Sequence, residues 1–162
     1  MIRDFLISKY ASFFEATDTN QDAYLTLNEA ESIPFLYDIT NFARDIFDEA
    51  REALGGPLYA SSWFRCQALN QAVGGAATSK HTLGIAADVY QYGWTWDSTM
   101  VAAKKIHAHF VVKGIKADII AEKREDGAVW IHIEQDNNGP RLFTGIDKIY
   151  KEITTEIDKE VA

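Results

Sequence analysis

The sequence predicts an α+β fold in a single domain, and three observations predict it. Apolar residues recur at spacings of three and four in the first and second thirds of the chain, the period of a helix with one buried face. Residues 117–122 and 128–134 are rich in Ile, Val and Ala and flank a charged turn at 123–127, the pattern of an antiparallel strand pair. Helical and strand stretches are grouped rather than strictly alternating, which favours an antiparallel sheet with flanking helices over a parallel α/β sheet. A chain of 162 residues is long enough for one sizeable core.

Taken in order, Ile2, Phe5, Leu6, Tyr10, Phe13 and Phe14 predict an amphipathic helix over 2–15. An acidic loop follows at 18–29, and Pro34 ends the short helix after it. Residues 1–34 thus form an N-terminal helix and loop. Ile39, Phe42, Ala43, Ile46, Phe47, Ala50 and Leu54 make the clearest helix, stopped by Gly55 and Gly56 with Pro57 behind them. Residues 58–62 read as a strand, 67–73 as a short helix, 74–79 as a small-residue loop and 85–90 as a second strand. Residues 100–112 read as a helix ended by Gly114. The strand pair closes a core region, 35–145. Ile146, Ile149, Tyr150, Ile153 and Ile157 then predict a last amphipathic helix within 146–162.

The net charge is −8, which argues against a nucleic-acid partner because phosphate binding needs clustered Lys and Arg. Cys66 is the only cysteine, so neither an internal disulfide nor a cysteine metal site is expected. Arg3, Asp4 and Lys9 interrupt the apolar residues of the N-terminus, unlike a signal peptide, and no stretch is long enough to span a membrane. The expectation is a monomer made in the cytoplasm, with no membrane partner.

The chemistry concentrates in Ser79-Lys80-His81-Thr82-Leu83-Gly84-Ile85-Ala86-Ala87-Asp88. An imidazole and a carboxylate stand seven residues apart across small and apolar residues, and Gly84 permits a sharp turn or close approach. His and Asp are both zinc ligands, and a catalytic zinc usually takes three protein ligands plus a water whose pKa falls to about 7. The third ligand must come from elsewhere, and His132 in the strand-like run Val129-Trp130-Ile131-His132-Ile133-Glu134 is the candidate. By themselves the three residues also read as a turn cap, a loop acid and a strand histidine. His107 and His109, at i and i+2 of a helix, face different directions and read as surface or packing residues.

The acidic loop carries a second metal pattern. Asp18, Asn20, Asp22 and Glu29 fall at positions 1, 3, 5 and 12 of a calcium loop, with Leu25 as the apolar eighth residue. Ala23 stands where such loops need glycine, and Pro34 cuts the exiting helix short. The loop is a candidate for weak, structural or regulatory Ca2+.

Three motifs resemble one family. Ser79-x-His81-x-x-Gly84-x-Ala86-x-Asp88, the later Trp130-Ile131-His132, and Ser61-Ser62-Trp63-Phe64-Arg65 with Asn70 upstream are similar to the zinc D-alanyl-D-alanine carboxypeptidases and endopeptidases that cut peptidoglycan peptides, a family sharing its fold with the hedgehog signalling domain. The resemblance covers roughly residues 24–134. It implies Zn2+ on His81, Asp88 and His132, a peptidoglycan peptide as substrate, and a phage lysis or virion setting. It also provides another reason for Glu29, because the family has a phrase similar to Tyr24-Leu25-Thr26-Leu27-Asn28-Glu29. Many relatives carry an acid three residues before the last histidine, where this chain has Val129. Others carry a Glu closing the preceding strand, in a phrase like Asp-Gln-Leu-Ile-Tyr-Glu. Ala117-Asp118-Ile119-Ile120-Ala121-Glu122 resembles it, so Glu122 is the expected general base and Asp126 the runner-up. Arg65 matches the family's arginine and is expected to hold a substrate carboxylate or the oxyanion. Trp63 and Trp130 are expected to pack or to wall a pocket. A zinc-containing binding or virion domain without catalysis is the alternative reading.

Overall fold

A computed structural model describes residues 4–154. Its centre is a six-stranded sheet in the order β1-β2-β4-β3-β5-β6, made of β1 (Tyr59–Ser62), β2 (Ala86–Tyr90), β3 (Ala117–Lys123), β4 (Val129–Gln135), β5 (Arg141–Ile146) and β6 (Ile149–Glu152). All neighbouring pairs are antiparallel except β3 with β5. The helices are α1 (Phe13–Thr17), α2 (Leu25–Ser32), α3 (Leu36–Phe42), α4 (Asp48–Leu54), α5 (Gln67–Ala72) and α6 (Trp96–Lys113). The fold class is therefore α+β, as the sequence predicts.

Side chains alternate across a strand, and this alternation divides the molecule. Ala87, Val89, Ile119, Ala121, Ile131, Ile133 and Leu142 point one way and are buried. Helix α6 packs on β3, β4 and β5, and buries Ala102, Ala103, Ile106 and Phe110. Asp88, Glu122, His132 and Glu134 occupy the alternate positions, on the opposite face. The register pairs Asp88 with His132, Glu122 with Trp130 and Asp118 with Glu134. Residues directly opposite in an antiparallel pair share a face, so the register alone gathers the polar groups.

Trp63 is the buried bolt beneath this polar face. Its ring packs on Phe42 and Phe47 at centroid distances of 5.3 and 5.0 Å, and its indole N–H donates to the Gly84 carbonyl at 3.0 Å. The predicted helix over 39–54 is present as α3, a π-helical turn at Ala43–Phe47 and α4. The 100–112 helix begins earlier, at Trp96, where Thr95 and Ser98 form a reciprocal cap.

Both predicted terminal helices are corrected. Ile2 lies outside the described residues; over 4–15, in place of one helix, Leu6 bridges to Ser12, the Phe13 amide donates to the Phe5 carbonyl at 2.8 Å, and a helix forms only at α1. Asp48 holds the bend from a distant helix by accepting from the Ser8 hydroxyl at 2.8 Å and the Lys9 amide at 3.0 Å, while the Ser8 hydroxyl accepts locally from the Ala11 amide at 3.1 Å, a bond that competes with a helix. At the other end, Ile146 closes β5, and Ile149 and Tyr150 lie in β6. Asp147 and Lys148 both have positive φ, 49° and 65°, and turn the chain into a hairpin that no continuous helix can contain. Ile153 is buried and continues the ladder, its amide donating to the Leu142 carbonyl at 2.7 Å. Ile157 lies outside the described residues.

Candidate metal centre

His81 sits on a short 3-10 turn, Lys80–Leu83, which begins at Ser79 and ends at Gly84. The Ser79 hydroxyl accepts from the His81 amide at 3.3 Å. Gly84 has φ +74°, and a Cβ there would stand 2.4 Å from Ile39 Cγ1. Glycine is thus required twice, for the left-handed backbone and for contact with α3. The turn delivers His81 to a buried position where Nδ1 lies 2.7 Å from the Trp63 carbonyl. A carbonyl can only accept, so Nδ1 carries the hydrogen and Nε2 offers a lone pair. Burial lowers the pKa of His81 and keeps the ring neutral, although Asp88 opposes this.

Asp88 lies on β2 directly opposite His132 on β4. Its Oδ1 is 3.4 Å from His81 Nε2 and 2.8 Å from His132 Nδ1. The ligand atoms of the three residues lie within 4.8 Å of one another. Donors on a tetrahedral zinc, at bonds of about 2.0–2.2 Å, stand roughly 3.4 Å apart, so the cluster has the size and donor set for that ion. Burial alone would raise the Asp88 pKa, but the two imidazoles outweigh it and hold the carboxyl well below its ordinary range. Burial likewise works against a charged His132, and is outweighed by Asp88 and Glu134, which push it up to about 10.

Glu134 is the residue that sequence reasoning missed. Its Oε2 is 3.1 Å from His132 Nε2, and Lys80 Nζ is 3.1 Å from its Oε1. With Nε2–H donating to the Glu134 carboxylate, Nδ1 of His132 is the nitrogen aimed at the centre, the carboxylate–histidine arrangement that orients metal ligands. The signal was present: in a strand, two residues on from a histidine is the same face. Asp118, Glu134 and Asp136 form a second acidic group, but Arg141 and Lys80 pair with it.

Arg65 pairs with Asp88. Its Nη2 is 2.6 Å from Asp88 Oδ2 and its Nε donates to the Ser62 hydroxyl at 2.7 Å. The guanidinium grips the outer oxygen of the ligand carboxylate, leaving Oδ1 for the centre. Glu122 is half-buried on the same sheet face as His132. Burial raises its pKa, with Asp88 adding and His132 subtracting. In the regular strand β4, residue 129 faces away from His132, so an acid at that position would not serve here. Asp126 is exposed in the turn, where it accepts from Arg124 Nη2 at 2.5 Å and from the Ala128 amide at 3.0 Å. His109 bonds Glu49 at 2.7 Å and His107 is buried, as surface and packing histidines.

Asp18, Asp22 and Glu29 form no metal-holding group among the described residues. The segment goes straight from a 3-10 turn, Asp22–Tyr24, into α2, without the glycine-dependent turn of a calcium loop. What the region does hold is Asn28. It is fully buried, donates to the carbonyls of Thr17 and Phe64 at 2.7 and 3.0 Å, and accepts from the Cys66 amide at 2.7 Å. It buckles α2 to both sides of Arg65.

Among the described residues, no helix is long and apolar enough to cross a membrane. No curated protein matches the sequence. The family model described as Peptidase M15 matches residues 15–120. Arg65, His81 and Asp88 fall within the match, while Glu122 and His132 follow it; the sheet sets His132 opposite Asp88 and Glu122 on the same face. The match covers more than half of the chain, and the protein belongs to the peptidase M15 family of zinc metallopeptidases.

Proposed function

We propose that this chain hydrolyses a peptide bond in the stem or cross-link peptides of peptidoglycan, with zinc held by His81, Asp88 and His132. The observation that carries this reading is the convergence of His81 Nε2, Asp88 Oδ1 and His132 Nδ1, with Glu122 on the same face. Zinc in such a site polarises the scissile carbonyl and lowers the pKa of a bound water. The protein does the rest. Trp63 and Glu134 fix the two imidazoles, and Arg65 fixes the carboxylate. Glu122 takes the proton from the attacking water and hands it to the leaving amine, and a pKa raised by burial suits a base that must also release the proton. Peptidoglycan as the substrate rests on the three sequence motifs.

The test is mass spectrometry of purified peptidoglycan fragments incubated with the zinc-loaded protein. Loss of a terminal D-alanine identifies a carboxypeptidase. Split cross-links, or stems cut after L-alanine, identify an endopeptidase. A folded, zinc-loaded protein that leaves every fragment unchanged would overturn the proposal in favour of a binding domain.

A further inference from the structure

The β5–β6 hairpin lies beyond the residues matched by the family and beside Glu122. Gly145 is opposite Tyr150 in the hairpin and opposite Glu122 across the parallel β3–β5 pair. The Tyr150 ring lies directly over Gly145. A Cβ at that position would stand 2.7 Å from Tyr150 Cε1 and 3.3 Å from Glu122 Cγ. Only glycine leaves room for the ring to cross and bring its hydroxyl to Glu122 Oε2, at 3.4 Å. That is the long end of a hydrogen bond, as catalytic bonds often are before substrate arrives. The hairpin is anchored at the same place. The Asp147 amide donates to the Lys123 carbonyl at 3.1 Å, and its Oδ1 accepts from the Glu125 amide at 2.8 Å.

We propose that Tyr150 is a positioning residue for Glu122: its hydroxyl donates to Oε2, fixing the carboxylate rotamer, and Gly145 is the space that makes this contact available. The inference rests on the general-base reading of Glu122. In a bulky-substrate pocket an exposed tyrosine would bind substrate, but this one turns its hydroxyl toward a carboxylate.

The experiment compares wild type, Y150F, G145A and E122Q in steady-state hydrolysis of purified peptidoglycan, alongside zinc content and Tm. Y150F keeps the ring and removes the donor. Losing one hydrogen bond to a charged group predicts a kcat lower by about tenfold, with KM within about twofold. Zinc content and Tm should stay at wild-type values. G145A, which displaces the ring, should reproduce the loss, and Y150F should add nothing on top of E122Q. A wild-type kcat in Y150F or in G145A, with E122Q inactive, overturns the role of Tyr150 and leaves the base intact. Raised KM with unchanged kcat overturns it in favour of substrate binding. Lost zinc or a lowered Tm in Y150F overturns it in favour of a structural role. Full activity in E122Q removes the base itself, a different failure.

Discussion

Residues 18–29 and 79–88 both carry metal-ligand residue types at a recognisable spacing, and only the second stretch gathers its ligand atoms. In 79–88, each side chain is aimed by something rigid. Trp63 holds His81 by its carbonyl, Gly84 closes the turn on Ile39, and strand register sets Asp88 opposite His132. In 18–29, Asp18 accepts from the amide of Thr19, its own neighbour, and the chain runs directly into α2. Ligand spacing in a sequence is thus a necessary condition. Convergence needs elements that cannot rotate away.

The largest expected effect sharpens the first half of that comparison. Replacing His132 or His81 with Ala should abolish zinc binding and hydrolysis together, because two protein ligands do not complete a catalytic zinc site. Metal analysis of protein purified without chelator decides it, and a zinc-free variant with full activity would break the assignment.

Next comes the base. Glu122→Gln keeps the shape but cannot accept a proton, so turnover should fall by about two to four orders of magnitude. Zinc content and melting temperature should not move. Asp126→Asn is the matched control, because Asp126 is exposed and held by Arg124. If that control is the dead variant and Glu122→Gln still cuts, the base is Asp126 and the register argument fails.

Glu134→Gln has a smaller effect. It keeps an acceptor for His132 Nε2 but loses the charge and the pull of Lys80. Zinc affinity should weaken by about 10- to 100-fold, read by competition with a coloured chelator. Unchanged affinity would mean that strand register alone aims the imidazole.

The smallest effect tests the acidic loop. Asp22→Asn should leave zinc content, hydrolysis and Tm at wild-type values, and millimolar calcium should not raise the Tm of either protein. A calcium-dependent Tm lost in Asp22→Asn would place an ion there after all, since a ligand that binds only the folded state must stabilise it. Asn28, not the acids, is where this region should be sensitive.

The sequence by itself determined the fold class, the long helix behind the sheet, the β3–β4 pair and the residue types of the metal centre. These are local properties: a period of 3.6 or 2, a glycine where the backbone must turn, and imidazoles and a carboxylate in recognisable phrases. Tertiary structure decided the rest. The run Ile146, Ile149, Tyr150, Ile153 satisfies a helical period, yet it forms a hairpin because β5 pairs with β3, twenty-three residues back from Arg141 to Asp118. Asp48 bends the N-terminus from 40 residues away through Ser8. The partners of the site are equally remote in sequence: Arg65 meets Asp88 across 23 residues, and Tyr150 meets Glu122 across 28. A periodicity records which face of one segment is buried. It carries no record of which segment covers that face or which charge waits opposite, because strand pairing is set by the burial of all the faces at once.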